Sequence, residues 1–288
     1  VVLPAACAYA RDARPAHASP LPPETFKYLR DLQTDIFHNH GALLMSQVFA
    51  TALGSKNRFD ANSQDANPRL YANLLMFGDM TALTVPDVDR TDYFLILGAN
   101  PAASGGSVMS LGDVRGRLQG IRERGGQIVL IDPRRSETAK LASAHHFIRP
   151  GGDAALLLAL LHVIFAEGLF DEARVNARAT GLTALREAAL GYPPEEVGPA
   201  IGIEPAVIQG IARDFARAKS AVAYGRIGIC LGEFGPIGSW LIEALNVVTG
   251  NFDRPGGAMF PSPAVDLGWV ARALDVGHFD RHRSRVRG

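Results

Sequence analysis

The chain has 288 residues, enough for one large domain or two modest ones with a sizeable core. Hydrophobic residues make up 47% of the sequence and charged residues 20%, the proportions of an ordinary globular protein. The formal net charge is +0, so no global field draws the chain to nucleic acid or to anionic lipid.

No stretch of the sequence reaches the ~18 uninterrupted apolar residues that a membrane span needs. The longest apolar run, residues 154–166, predicts a buried core helix instead. The first residues lack a basic leader, so we expect a cytoplasmic protein. Periplasmic export stays open, because a chain that begins with Val and ends without a closing element indicates a piece of a longer protein.

The first third of the chain carries few strand signals. Residues 1–40 are rich in Pro, Ala and polar residues, which predicts a linker or part of a preceding domain. Helical spacing predicts a helix over 41–54 and another over 66–78, each ending at a glycine. The segment VPDVDRTD, residues 85–92, is typical of a surface turn.

From Tyr93 onward, strand and helix patterns alternate. Apolar runs predict strands at YFLILGAN (93–100), QIVLIDP (127–133), HHFIRP (145–150) and KSAVAYGRIG (219–228). Helical patterns occupy 114–126, 136–142, 151–168, 171–218 and 240–250. The alternation predicts an α/β fold, a mainly parallel sheet with helices on both faces, with 171–218 as a helical insert. We assign 41–260 to this domain and 261–288 to the start of a following segment.

In such a sheet, ligands bind beyond the carboxyl ends of the strands, where strand order reverses. The first strand leads into LGANPAASGGS, in which Gly98 and the small residues up to Ser107 let backbone N–H groups approach a phosphate. Asn100 is able to bond a base or a sugar. This is not the GxGxxG fingerprint, which disfavours a nicotinamide-dependent dehydrogenase. A plain strand-to-helix turn is the alternative.

The next two strands end in candidate nucleotide contacts. Asp132 occupies the place where nucleotide-binding folds hold the ribose hydroxyls, and Arg134 can pair with phosphate. Gly152 and Asp153 bring N–H donors and a carboxylate to a helix start, which suits the adjacent N–H donors of guanine. In both places the alternative is that the aspartate only caps the following helix.

The fourth strand ends in YGRIG, where Gly225 and Gly228 flank the cation Arg226. Taken in order, five segments resemble successive motifs of the molybdopterin oxidoreductases: LILGANPAASGGS, VLIDPRRSETAKLA, FIRPGGDAALLLALLHVIFAEGLFD, YGRIGI and LNVVTGNFDRPGGAMFP. That family contains formate dehydrogenases, nitrate reductases and dimethyl sulfoxide reductase. The resemblance runs from about Asn39 to Pro263.

The resemblance implies a Rossmann-like domain that binds one guanine dinucleotide arm of the molybdenum bis(molybdopterin guanine dinucleotide) cofactor. Three groups of residues follow from motif position. On the pyrophosphate side are Gly98, Asn100 and Ser104; around the guanosine and its base are Asp132, Pro133, Arg134, Gly152 and Asp153; toward the pterin are Gly225, Arg226, Ile227 and Gly228, with Asn251 in the same wall.

The family's protein ligand to molybdenum is a Cys, selenocysteine, Ser or Asp near the start of this region. The corresponding stretch here, NRFDANSQDANPRLY, has no Cys. Of Asp60, Ser63 and Asp65, we favour Asp65 as catalytic metal ligand because it precedes a helix opened by Pro68. A carboxylate is a hard oxygen donor that suits a high-valent metal. The alternative is that Asp65 is the N-cap of that helix.

The function implied by the resemblance is two-electron redox of a small-molecule substrate, of formate or nitrate type, with an electron-transfer partner that the sequence does not identify. The family's 4Fe-4S cluster has no ligands in this chain, so we expect the cluster in the full-length protein and no turnover by this fragment. A cofactor-free scaffold or electron-transfer subunit resembling the large iron–sulfur subunit of NADH–quinone reductase is the alternative. The cations Arg134 and Arg226 argue against it.

Overall fold

The computed structural model describes residues 65–261 apart from Thr81, together with Met45, Phe49, Ala52 and Leu53. The chain divides into two compact units, residues 1–62 and 63–288, and the elements that follow belong to the second. The predictions made for residues 1–40 and 262–288, and for Asp60 and Ser63, lie outside the described residues.

The described strands are β1 (Val85–Pro86), β2 (Tyr93–Leu97), β3 (Gln127–Ile131), β4 (Ala144–His146), β5 (Ala221–Gly225) and β6 (Ala258–Met259). The helices are α1 (Asn67–Phe77), α2 (Pro101–Ser104), α3 (Val114–Glu123), α4 (Asp153–Ala166), α5 (Glu172–Asn176), α6 (Leu182–Leu190), α7 (Pro194–Ile201), α8 (Pro205–Arg217), α9 (Ile227–Cys230) and α10 (Gly235–Val248). One 3₁₀ turn spans Thr138–Lys140. No described helix is both long enough and apolar enough to cross a membrane.

Four parallel strands form the central sheet, in the order β4-β3-β2-β5. Strands β2 and β3 pair along their full length, from Tyr93 with Gln127 to Leu97 with Ile131. Strand β5 pairs with the other edge of β2 and also ends in register with Leu97, at Gly225. All four strands therefore present their carboxyl ends at one edge of the sheet.

Helices cover both faces of this sheet. Leu95 and Leu97 of β2 belong to an apolar cluster formed with α4, α8 and α10, whereas Phe94 and Ile96 belong to a second cluster formed with α3. Successive side chains of a strand point to opposite faces, so a strand covered on both sides must be apolar at every position. All residues of β2 are buried. The predicted α/β fold with a parallel sheet is confirmed.

The helical insert, residues 171–218, is divided into separate helices at glycines. Gly181 and Gly202 have φ of +87° and +81°, backbone conformations that favour glycine, and they separate α5 from α6 and α7 from α8. Helices α6, α7 and α8 all pack on α4. Helix α4 is thereby enclosed, which explains a sequence that is apolar on nearly every side.

The segment 85–92 is not the surface turn that its composition predicts. Its first residues form β1, which pairs antiparallel with β6, and both Asp87 and Thr91 are buried. The backbone N–H of Gly256 donates a 2.8 Å hydrogen bond to Asp87 Oδ2. The partner lies far along the chain, so local Pro and Asp signals could not reveal this pairing.

Three element boundaries also differ from prediction. Strand β4 ends at His146 because Phe147 leaves the sheet with 58% of its surface exposed. Helix α10 begins at Gly235, ahead of the predicted 240, since Pro236 is accepted in a first turn. The predicted helix 136–142 is only the 3₁₀ turn.

Candidate functional site

The carboxyl ends of β2 and β5 lie side by side, and we call the space beyond them the crevice. From β2 the chain proceeds to β3 on one side, and β5 returns on the other side, so strand order reverses between these two strands. Ligands of open α/β sheets bind at such a point. Residues predicted from four separate sequence motifs follow the four parallel strands at this edge.

Two glycines form the backbone contact between the ends of β2 and β5. The N–H of Gly228 donates a 2.9 Å hydrogen bond to the carbonyl oxygen of Gly98. A Cβ on Gly228 would lie 2.7 Å from the Cα of Gly98, and a Cβ on Gly98, whose φ is +54°, would lie 2.9 Å from the Cα of Gly228. Neither position accepts a side chain, so bare backbone lies at the mouth of the crevice.

Gly225, the last residue of β5, is closely packed. A Cβ there would lie 2.4 Å from the Cδ1 atoms of Ile229 and Ile242. Ile227 has 47% of its surface exposed, and it follows the buried Arg226. The predicted segment Gly225–Gly228 thus supplies one tightly packed glycine, one buried cation and one exposed apolar side chain.

Asn100 fastens the loop after β2 to the loop after β3. Its Nδ2 donates a 2.6 Å hydrogen bond to Glu137 Oε2, and its Oδ1 accepts from Thr138 Oγ1 at 2.8 Å. The hydrogen bond from Asn100 is the leading cause that lowers the pKa of Glu137. The Ser104 hydroxyl bonds the Asn100 carbonyl oxygen at 3.2 Å. The side chain of Asn100 therefore shapes the loops, while its backbone lies at the strand end.

Asp132, Pro133 and Arg134 form an exposed turn after β3. The N–H of Arg134 donates a 2.7 Å hydrogen bond to Asp132 Oδ1. The cap position of the 3₁₀ turn is Glu137, so Asp132 is not its cap. The Arg134 guanidinium, 68% exposed, lies 3.8 Å from Glu137 Oε2, a loose pair that leaves it available to an anion.

Asp153 is the first residue of α4, and the cap position is Gly152. The alternative that Asp153 is the N-cap is therefore wrong. Burial, with a smaller contribution from the charge of Asp132, raises the pKa of Asp153 from 3.8 to about 6. A Cβ on Gly152 would lie 2.8 Å from Ile201 Cγ2, so the backbone is closely packed before the helix.

Arg226 and Asp65 form an ion pair at the crevice although they are 161 residues apart in sequence. Arg226 Nη2 donates to Asp65 Oδ1 at 3.2 Å, and Arg226 Nε donates to Ser107 Oγ at 3.0 Å. The guanidinium is 7% exposed and the Asp65 side chain 36% exposed. Asp65 precedes Ala66, the cap position of α1, so the alternative that Asp65 caps this helix is wrong.

Sequence reasoning did not assign the residues that hold Arg226. Ser107 accepts from Arg226, and the Tyr224 hydroxyl donates a 2.7 Å hydrogen bond to the Ser107 carbonyl oxygen. Burial raises the pKa of Tyr224, which keeps its hydroxyl a donor at neutral pH. The small residues before Ser107 were a signal for a tight loop. Nothing in the sequence connected that loop with Tyr224.

Asn251 does not join the other predicted residues. Its Oδ1 accepts a 3.1 Å hydrogen bond from the N–H of Ala221, the first residue of β5, and its Nδ2 donates to Thr249 Oγ1 at 3.0 Å. This contact lies at the amino end of β5, opposite the crevice. Asn251 is 2% exposed and closes the turn before β6.

Comparison with known proteins identifies the family. The family model for molybdopterin oxidoreductases matches residues 35–285. Formate dehydrogenase H of Escherichia coli is 30% identical over 80% of this chain and 32% of its own length. The molybdopterin-containing subunit of thiosulfate reductase from Salmonella typhimurium is 31% identical over 77% of this chain and 28% of its own. The periplasmic nitrate reductase of Desulfovibrio desulfuricans is 28% identical over 78% of this chain and 31% of its own.

The fold has a counterpart among solved structures. Acetylene hydratase from Pelobacter acetylenicus superposes with a TM-score of 0.62 at 23% identity, over 75% of this chain and 28% of that protein. The chain thus spans about a third of the length of the curated relatives it matches. With the family model matching most of its residues, the chain belongs to the molybdopterin oxidoreductase family.

Proposed function

We propose that this chain holds a guanine dinucleotide arm of molybdenum bis(molybdopterin guanine dinucleotide) within an oxidoreductase. The whole protein would carry out two-electron redox on a small substrate of formate or nitrate type. The observation that carries the proposal is the crevice at β2 and β5. There the bare backbone of Gly98 and Gly228 lies near a carboxylate, Asp65, paired with a buried cation, Arg226.

The sheet order supports a Rossmann-like assignment. Numbered along the chain, the four parallel strands follow the order 3-2-1-4, which is the first part of the doubly wound nucleotide-binding order. In that fold, the ligand lies where the order reverses, which here is between the segments that carry Gly98 and Arg226.

The nucleotide-binding side matches the chemistry of guanosine phosphate. The ionised Asp153 is an acceptor for the paired N–H donors of guanine, at the start of the long helix α4. Asp132 lies where such folds bind ribose hydroxyls. The exposed Arg134 guanidinium is able to pair with phosphate oxygens in a bidentate manner.

The metal side is consistent with Asp65 as ligand. Its Oδ1 accepts from Arg226, whereas its Oδ2 makes no hydrogen bond with the described residues. Carboxylates that bind metals are usually held by such an outer hydrogen bond, and their hard oxygen suits a high-valent metal. When bound, the cofactor would supply the two-electron redox chemistry. Arg226 would orient the carboxylate and offset its charge.

The cofactor-free scaffold remains less favourable on this geometry. Burying a guanidinium is costly unless it is paired, and Arg226 is paired with the Asp65 side chain, which is 36% exposed. A site without an anionic or metal-bearing ligand gains nothing from that arrangement. The 4Fe-4S cluster and the redox partner belong to our proposal for the full-length protein.

Replacing Gly228 tests the proposal. In the full-length protein, we expect Gly228→Ala to lose most of its molybdenum and guanine nucleotide, because the added methyl group would force the ends of β2 and β5 apart. Molybdenum is measured by mass spectrometry and nucleotide by chromatography after acid release. Gly210→Ala in α8, where a Cβ meets nothing within 4 Å, is the matched control. Equal cofactor content in the two variants, both folded, would contradict the proposal.

A further inference from the structure

Helix α1, which begins two residues after Asp65, buries two polar side chains, those of Arg69 and Asn73. Its buried residues are Arg69, Ala72 and Asn73. Tyr71 and Leu75 face outward, exposed by 50% and 62%, whereas Phe77 at the end of the helix stacks on Phe252 with ring centroids 5.4 Å apart. Helix α1 packs closely on α10, and the buried residue of its first turn, nearest Asp65, is the charged Arg69.

A buried three-residue cluster joins α1 to α10. Arg69 Nη2 donates a 2.5 Å hydrogen bond to Glu243 Oε1 and a 2.9 Å hydrogen bond to Thr84 Oγ1. Thr84 Oγ1 donates in turn to the same Glu243 oxygen at 2.7 Å. The Arg69 side chain is 6% exposed and that of Glu243 1% exposed. Two helices and the segment before β1 are thus tied at one point.

Further polar atoms at this interface lack partners. Arg69 Nε, Glu243 Oε2 and both amide atoms of Asn73 are buried without a hydrogen bond to any described residue. Atoms of this kind bind ordered water in folded proteins. Replacing a buried ion pair with apolar residues of similar volume is often neutral or stabilising. The cluster is therefore better explained by the geometry it imposes than by stability.

We propose that Arg69 is a positioning residue for Asp65. Arg69 lies four residues after Asp65, in the first turn of α1, so its bond to Glu243 limits how α1 rotates and slides on α10. An apolar contact would tolerate such slippage, whereas a paired guanidinium has one favourable arrangement. Fixing α1 keeps Asp65 Oδ1 against Arg226, with Oδ2 as the oxygen proposed to bind the metal. The inference rests on the proposed role of Asp65.

The test compares variants of the full-length, cofactor-loaded protein by molybdenum K-edge X-ray absorption. Asp65→Ala shows what loss of the carboxylate does to the metal's ligand shell. The double variant Arg69→Met/Glu243→Leu keeps the volume and removes both buried charges. Thr84→Val removes the bridging hydroxyl and keeps the ion pair, so it serves if the double variant folds poorly. Leu75→Ala, on the exposed face of α1, is the control.

We expect the double variant to melt within a few degrees of the parent protein and yet to shift the spectrum in the direction of Asp65→Ala. Thr84→Val, which weakens the cluster but keeps the ion pair, should give a smaller shift in the same direction. Leu75→Ala should leave the spectrum unchanged. If Asp65→Ala alters the spectrum and the cluster variants do not, the positioning role is overturned and the proposed function still stands. A spectrum that Asp65→Ala itself leaves unchanged would refute the ligand assignment, and the inference with it.

Discussion

At the scale of single residues, Asp153 faces two opposing requirements. Its carboxylate must be ionised to accept the N–H donors of guanine, but burial favours the protonated acid and raises its pKa to about 6. The nearby charge of Asp132 acts in the same direction. Binding sites often retain such groups at the expense of stability.

The sign of the resulting pH dependence follows from the two pKa values. The carboxyl of Asp153 has a pKa of 3.8 in the unfolded chain and of about 6 in the folded protein. Between these values the folded chain holds more protons than the unfolded chain, so the contribution of Asp153 to stability is present below the lower value and is lost as pH rises through the upper one.

We therefore predict that Asp153→Asn stabilises the protein at pH 7, by at most about 3 kcal/mol, because the amide has no charge to bury. The gain should vanish near pH 4 in urea unfolding followed by circular dichroism. The same variant should retain less guanine nucleotide, since an amide N–H₂ opposes the donors of the base. Equal stability of variant and parent at pH 7 would contradict the buried, raised-pKa carboxyl.

At the scale of elements, the four strands of the parallel sheet were predictable from the sequence, and the β1–β6 pairing and the connections between loops were not. Strand β2 is an apolar run that is followed by Gly98, so the hydrophobic pattern and the glycine predict the same strand end. The tie between Asn100 and Thr138 joins two loops through side-chain geometry alone. The sequence predicts that Asn100 bonds a base or a sugar, but an amide side chain can equally join two loops.

The loop tie supports a prediction of its own. Asn100→Ala leaves the buried Thr138 hydroxyl and the Glu137 carboxylate without their partner, so we expect the free energy of unfolding to fall by about 1–3 kcal/mol. Chemical denaturation measures this change. Ser104→Ala removes two long hydrogen bonds, one to the Asn100 carbonyl oxygen at 3.2 Å and one from the Gly106 N–H at 3.3 Å, and should lower it by less than Asn100→Ala does. An equal fall in the free energy of unfolding for both variants would show that the Asn100 hydrogen bonds do not hold the two loops together.

At the scale of the whole molecule, parallel topology is what converts separate motifs into one site. Asp132, Asp153 and Arg226 follow different strands, and each motif by itself is consistent with a helix cap or a simple turn. The sheet brings them to one edge, which is the part of the site that alternating patterns could predict. The pairing of Arg226 with Asp65 could not be predicted in this way. It joins residues far apart in sequence, as does the buried Arg69–Glu243 pair, and no local pattern indicates either contact.

The central claim is that this chain binds the guanine dinucleotide form of the molybdenum cofactor. Its most direct test is chemical analysis of the full-length protein, purified without added cofactor from cells grown with molybdate. We predict that acid denaturation releases molybdenum and guanosine monophosphate together, in a constant ratio between preparations. A folded protein that releases molybdenum with no guanine nucleotide, or that releases neither, would contradict the claim.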